Sequence, residues 1–206
     1  TTTEGGWNGL VTMAALVTAH DFKEADAGLL NLEQTMKGDS LMSKLVLSKV
    51  ALYRGTCAKM QHQYKEAMSH YDRAMENISS VFPNYGHPWA HEIQNAVAVC
   101  MSRQGRYEEA RVLLSDLRVL QDDLNAVDLV EKKDMDPYVW SLLKKAGDEN
   151  GRACSKTQTL VDQGQLELLC GCYKEAKSLM TSASTLLKTV QADAQADVKS
   201  NLAKAQ

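Results

Sequence analysis

The sequence predicts an all-α protein built as an array of antiparallel helix pairs. A pattern of one aromatic residue, two charged residues and Ala occurs four times, at 22–25, 64–67, 107–110 and 173–176. Apolar or small residues follow each Ala at the fourth and seventh positions, which places them on one helical face. Helix-forming Ala, Leu, Lys, Glu, Gln and Met are abundant, whereas the 206 residues include only three Pro.

Each pattern begins the second helix of a pair. A short break precedes it, at 19–21, 61–63, 104–106 and 170–172. Gly105 and Gly171 stand inside two of these breaks and suit the positive φ that ends a helix tightly. The predicted unit is therefore helix A, a tight turn and helix B. We expect helices near 7–18, 22–36, 40–60, 64–80, 88–103, 107–127, 137–147, 152–169, 173–190 and 191–204.

The stretch 121–156 departs from the repeat and is acidic at its start. The four aromatic residues are spaced by 42, 43 and 66 residues, so the long interval has room for an extra or degenerate helical pair. Asp136 before Pro137 predicts an N-cap and a helix start. Residues 147–151 contain two Gly and are predicted to form an exposed loop.

The C-terminal residues 191–206 are predicted to form a capping helix. Apolar residues recur every four positions, at Leu186, Val190, Ala194, Val198 and Leu202. An open repeat array needs a polar outer end, which favours a cap. A helix that binds a partner is the alternative.

The four units resemble tetratricopeptide (TPR) repeats. The match is carried by Gly105–Ala110, by Gly171–Ala176, and by Gly55 and Gly164, which stand where that family keeps a small residue in helix A. The segment Tyr85–Ala90, with its Gly-x-His-Pro turn, and the 42-residue period resemble the longer repeats of kinesin light chains.

This resemblance implies a right-handed superhelical α-solenoid. Its predicted division is repeats one to three over 1–120, a degenerate or inserted segment over 121–156, a fourth repeat over 157–190 and the C-terminal cap over 191–206.

Composition excludes several classes of function. The net charge of −3 and the pI of about 6.0 disfavour a strong hold on nucleic acid. The longest apolar stretch, Leu10–Ala19, is shorter than a membrane span, so direct membrane insertion is not expected. Five Cys without framework spacing indicate an intracellular, reducing compartment, mitochondrial or cytoplasmic. Because the sequence starts with Thr rather than Met, we expect a trimmed chain or a removed leader.

No catalytic constellation is recognisable, so we expect no enzyme activity, no catalytic residue and no cofactor. Cys170-x-Cys172 lacks the second ligand pair of a zinc site. The pair His87 and His91 is explained by the turn before Pro88, so no metal site is expected. An enzyme hidden in 121–156 is a third, weaker hypothesis.

The resemblance implies that a groove lined by the A helices binds a protein partner. Carried over by position, its lining is Leu52, Thr56, Lys59, Asn95, Val99 and Arg103. Asn95 would hydrogen-bond a peptide backbone, and Lys59 and Arg103 would meet an acidic side chain. Because Leu52 and Thr56 replace the polar set that captures chaperone tails, that ligand is not expected.

The predicted function is a non-catalytic adaptor or accessory subunit that binds a partner helix or peptide. By analogy of fold, the larger complex is an organellar assembly such as mitochondrial ATP synthase. The alternative is a pentatricopeptide-like RNA-binding protein, which uses about 35 residues per unit and a basic groove.

Overall fold

A computed structural model describes the backbone of residues 2–36, 40–82, 86–123 and 137–204. Side chains are described over 6–36, 40–82, 86–122, 137 and 140–190. In these residues the chain is an all-α helical repeat solenoid. Its helices are α1 Thr2–Thr18, α2 Phe22–Thr35, α3 Leu41–Met60, α4 Tyr64–Ser79, α5 Pro88–Arg103, α6 Tyr107–Asp123, α7 Pro137–Gly147, α8 Glu149–Leu169 and α9 Tyr173–Lys204.

Most of the predicted helices are confirmed within one or two residues at the ends that the structure describes. Two predictions are wrong. Residues 147–151 do not form a loop, because Asp148 alone separates α7 from α8 and caps α8 by accepting a hydrogen bond from the N–H of Gly151 at 2.8 Å. Residues 191–204 continue α9 and do not form a separate helix. Asp136 and the acidic stretch 124–136 lie outside the described residues.

The helices pack as four antiparallel pairs: α1 with α2, α3 with α4, α5 with α6, and α8 with α9. The first helices of the pairs also contact one another in the order α1, α3, α5, α8, so they form one continuous row. Helix α6 packs directly on α8. The described part of the long interval therefore adds one helix, α7, beside the row, and does not add a pair within it.

The repeated alanine stripe lies in the interior, as the spacing predicts. Its fully buried members are Ala25, Leu29, Ala67, Tyr71, Ala74, Ala110, Leu114, Leu117, Ala176 and Ala183. A small residue on the facing helix A makes room for the larger member of the stripe. A Cβ on Gly55 would overlap the Tyr71 ring, and a Cβ on Gly164 would lie 2.9 Å from Cε of Met180.

The four turns between helix A and helix B share one backbone geometry. The residue with positive φ is His20, His62, Gly105 or Gly171, with φ between 62° and 78°. In each turn the next N–H donates to the carbonyl oxygen five residues earlier, for example Arg106 to Met101 at 3.0 Å and Cys172 to Glu167 at 2.8 Å. This is the Schellman arrangement, which satisfies carbonyl groups that the helix end leaves open.

Ion pairs join neighbouring pairs of helices, and one of their carboxylates, Glu167, is buried. On α3, Arg54 donates to Asp26 at 2.9 Å and to Glu33 at 2.7 Å, both on α2. On α6, Arg111 holds Glu167 of α8 in a bidentate pair, with N–O distances of 2.8 and 3.0 Å. Such paired guanidinium–carboxylate contacts fix direction as well as distance. They therefore set the angle between successive pairs.

Helix α7 is fixed to the array by a buried histidine. His87 caps α5, accepting from the N–H of Trp89 through Nδ1 at 3.2 Å, and its Nε2 lies 3.2 Å from the carbonyl oxygen of Leu143. Burial lowers the pKa of His87 to about 4, so the ring is neutral at pH 7. Its single N–H then donates to Leu143 while Nδ1 accepts.

We expect the turn residues to respond differently to substitution. Gly105→Ala and Gly171→Ala should each lower the free energy of unfolding by about 1 kcal/mol, because an L side chain disfavours positive φ. No described atom lies near an added Cβ at either position, so backbone strain is the main cost.

Gly105→Asn should lower the free energy of unfolding less than Gly105→Ala does, because Asn tolerates a positive φ. His20→Gly should raise stability by less than about 1 kcal/mol, because its ring contact with Phe22 is lost. Urea denaturation measures all four variants. Equal stability of Gly105→Ala and the unaltered protein would contradict the assignment of strain.

Candidate functional site

A groove of about 600 Å³ lies along the row of first helices, between α5 and α8, with Lys59 of α3 at its edge. Helix α5 contributes one wall, which consists of Pro88, Trp89, Glu92, Asn95, Ala96 and Val99. Helix α8 contributes the other wall, which consists of Gly151, Ser155, Gln158, Asp162 and Gln165. The first wall is mainly apolar and the second is mainly polar.

The apolar wall is held rigidly around Trp89. Its ring stacks on Trp7 of α1, with centroids 5.8 Å apart and planes 15° from parallel. The Lys49 ammonium lies 4.7 Å from the centroid of the Trp89 ring and is paired with Glu92. Stacking and cation–π contact both restrict the Trp89 rotamer. The groove therefore has a preformed apolar surface at this end.

The polar wall stands in the same repeat register as the apolar wall. Tyr107 and Tyr173 begin equivalent helices and are 66 residues apart. The same offset relates Trp89 to Ser155, Glu92 to Gln158, Ala96 to Asp162, and Val99 to Gln165. The residues predicted for the groove do not include the α8 wall, although this offset identifies it.

Below the groove, buried polar side chains connect α5, α6 and α8. Asn95 donates through Nδ2 to Oγ1 of Thr159 at 3.1 Å, and Gln121 of α6 donates through Nε2 to the same oxygen at 3.1 Å. The Thr159 hydroxyl lies 3.2 Å from the carbonyl oxygen of Ser155 on its own helix. These bonds fix the Asn95 side chain, which is only 4% exposed.

Lys59 and Asp162 carry opposite charges and lie on the two sides of the groove. The side chain of Lys59 is half-buried, and that of Asp162 is buried. Burial raises the pKa of Asp162 to about 6, and the Gln158 amide, which donates to it at 2.9 Å, and the Lys59 charge both oppose that rise. Burial also lowers the pKa of Lys59, and the Asp162 charge opposes this effect. Among the described residues, neither group has an ion-pair partner within 4.0 Å.

The six residues predicted for the groove divide into two sets. Lys59, Asn95 and Val99 line it. Leu52 does not, because it is 3% exposed and belongs to the core. Thr56 is half-buried and donates to the carbonyl oxygen of Leu52, and Arg103 is exposed near the end of α5, away from the lining. Contact of any of these residues with a partner stays a prediction.

The two His and two Cys residues that were weighed as metal ligands have contacts that a structural role explains. His87 is the cap described above, and His91 contacts Ser155 through Nδ1 at 3.2 Å. Cys170 and Cys172 flank the last turn as free thiols. Within the described ranges, no three side chains of His, Cys, Asp or Glu come together as metal ligands. In the same ranges no helix is long and apolar enough to cross a membrane.

One family model agrees with the helical-repeat architecture of part of the chain. Residues 47–117 match the family model of the tetratricopeptide repeat, a stretch that begins in α3 and ends in α6. No curated protein matches the chain significantly. Among solved structures, the chain is similar to the crystal structure of BtubC (BKLC) from P. vanneervenii, at 11% identity and a TM-score of 0.49. That match covers 87% of this chain and 78% of that one.

The charge of Asp162 should destabilise the fold at neutral pH. Its folded-state pKa of about 6 exceeds the usual value of 3.8, so the native state binds a proton more tightly than the unfolded state between these values. That difference corresponds to at most about 3 kcal/mol. Asp162→Asn should therefore be more stable than the unaltered protein above pH 7, and the gain should disappear near pH 4.

The measurement is urea denaturation of both proteins from pH 4 to 8. Because all other titrating groups are shared, the difference between the two proteins isolates Asp162. A stability difference that does not vary with pH would contradict the burial of an ionised carboxylate.

Proposed function

We propose that this chain, which carries tetratricopeptide repeats over residues 47–117, is a non-catalytic module that holds a segment of a protein partner in the groove between α5 and α8. Tetratricopeptide repeats generally mediate protein–protein interaction, and repeat arrays of this kind bind along the concave surface of the row. The observation that carries the proposal is the preformed groove on that row.

The lining of the groove suits an extended peptide better than a small apolar ligand. One wall offers Trp89, Ala96 and Val99 to apolar side chains, and the other offers amide and hydroxyl groups to a peptide backbone. An extended segment points its side chains to two opposite faces and its backbone N–H and C=O groups to the sides, so it can meet an apolar wall and a polar wall together. The volume of about 600 Å³ accommodates a few residues of such a segment.

The charges along the groove do not favour RNA. Among the described lining residues, one cation, Lys59, stands with two carboxylates, Glu92 and Asp162. A nucleic-acid backbone is bound by clustered Lys and Arg. The pentatricopeptide-like alternative therefore has no support from the described groove, and we do not propose it.

The larger setting stays a prediction. An accessory role in an organellar assembly, mitochondrial ATP synthase for example, and a mitochondrial or cytoplasmic location are proposals from analogy of fold. Crosslinking mass spectrometry on native complexes would identify the partner and so test them.

Filling the groove should abolish partner binding. Ala96→Trp places a large ring on the α5 wall, where Ala96 is half-buried and lines the groove. The matched control is Val112→Trp on α6, which is 60% exposed and lies outside the groove lining. We expect the amount of partner that Ala96→Trp captures to fall at least about tenfold, and the amount that Val112→Trp captures to stay unchanged.

Affinity capture from native extract, with quantitative mass spectrometry, measures both variants. Circular dichroism melting confirms that each variant folds. Equal recovery of the same partners by Ala96→Trp and the unaltered protein would show that the groove is not the binding surface.

A further inference from the structure

We propose that the groove binds its partner segment through a basic side chain, lysine or arginine, which lies between the Asn95 amide oxygen and the Asp162 carboxylate. This inference rests on the proposed function and specifies the partner chemistry at one point of the groove. It assigns a role to Asp162, which the repeat pattern alone does not predict.

The first observation is the orientation of the Asn95 amide. The Thr159 hydroxyl has one hydrogen, which its position 3.2 Å from the Ser155 carbonyl oxygen directs to that acceptor. Thr159 must then accept from its other neighbours, so the group that Asn95 places against it is the N–H donor of Nδ2, at 3.1 Å. The amide oxygen of Asn95 consequently points away from Thr159.

That oxygen is itself almost fully covered and has no hydrogen-bond donor among the described residues, while the residue Asn95, 4% exposed, belongs to the groove lining. A buried acceptor without a donor destabilises the fold, because the hydrogen bonds that it made to water in the unfolded chain are not replaced. A ligand that brings an N–H group to this position would offset that destabilisation. The groove therefore favours a ligand that brings a hydrogen-bond donor to the Asn95 oxygen.

The second observation is the Asp162 carboxylate, one turn beyond Thr159 on α8. It is 8% exposed and lines the groove, and its one hydrogen bond from a described side chain comes from the neutral Gln158 amide at 2.9 Å. The other groove carboxylate, Glu92, is already paired with Lys49. Asp162 is therefore the groove carboxylate that lacks a cation within 4.0 Å among the described residues. Asn95 bonds to Thr159, and Asp162 lies three residues after Thr159 on the same helix, so the Asn95 amide and the Asp162 carboxylate belong to the same part of the groove.

A cation satisfies this groove better than an anion does. A lysine ammonium has three N–H donors and can bond the Asn95 oxygen and the Asp162 carboxylate together. A carboxylate ligand would gain only Lys59, would leave the Asn95 oxygen without a donor, and would be repelled by Asp162. Lys59 faces Asp162 across the groove and so competes with a bound cation, which predicts opposite effects of changing these two residues.

The test uses a bead-displayed library of random nine-residue peptides, selected on the whole chain. Selections run in parallel on Asp162→Asn, on Lys59→Met and on the groove-filled Ala96→Trp, with Val112→Trp as the surface control. Asn is isosteric with Asp and Met keeps much of the Lys stem, so both variants should fold, which melting curves verify. Binders that Ala96→Trp loses and Val112→Trp keeps are groove-dependent.

We expect groove-dependent binders to be enriched in Lys or Arg at one position. The enrichment should disappear on Asp162→Asn and persist or increase on Lys59→Met. For a selected peptide, replacing that Lys by norleucine should weaken the Kd about tenfold on the unaltered chain and little on Asp162→Asn, since hydrogen bonds to charged groups contribute that much.

Two other outcomes are decisive. Groove-dependent binders without a basic position, with an acidic position instead, or recovered equally on Asp162→Asn would overturn this inference and leave the proposed function standing. An absence of any groove-dependent binder would overturn both.

Discussion

The close approach of helix A to helix B is the constraint on which the rest of the structure depends. It requires one small residue opposite one larger residue at the crossing of each pair. In two pairs helix A supplies the Gly, with Gly55 against Tyr71 and Gly164 against Met180. In the first pair both helices supply a Gly, because Gly9 of α1 faces Leu32 of α2 and Gly28 of α2 faces Met13 of α1. What these three pairs share is a Gly opposite a larger side chain, which permits dense interior packing.

This constraint also creates the binding surface. When every pair has the same separation, the first helices stack as a continuous row, and the residues that face away from the pair form one side of that row. The Arg54 and Arg111 ion pairs then fix the angle between successive pairs. The groove is thus a consequence of repeated packing, and its position requires no residue to be selected for binding.

Much of this architecture could be predicted from the sequence, since it follows from local and repeated signals. The alanine stripe, the four turns and most helix ends obey simple spacing rules. The separate capping helix over 191–204 was predicted from the need of an open array for a polar end, but no Pro or Gly interrupts α9 after Tyr173, so the helix continues. The loop at 147–151 was inferred from its two Gly, whereas Asp148 as a cap outweighs Gly151 in the first turn of a helix.

Only part of the candidate site could be predicted, because its side-chain contacts join helices that are far apart in sequence. Position in the repeat predicts which residues line the groove, but it does not predict hydrogen bonds between helices that are distant in sequence. Leu52 and Asn95 both stand twelve residues before the aromatic of their unit, yet one belongs to the core and the other bonds Thr159 across 64 residues. That distinction depends on a neighbour in another repeat.

For the same reason, the helices that form the groove repeat along the chain, but the kinds of side chain that line it do not. Ala96 and Asp162 occupy equivalent positions 66 residues apart, and both line the groove, but one is a methyl group and the other a carboxylate. Packing against the paired helix restricts the residues that face inwards. It places little restriction on those that face the groove, and we expect the buried charge of Asp162 to lower stability at neutral pH. A buried charge without a described cation beside it is best understood through what it binds, and the Asn95 oxygen, which has no donor among the described residues, supports the proposal that the ligand is a donor.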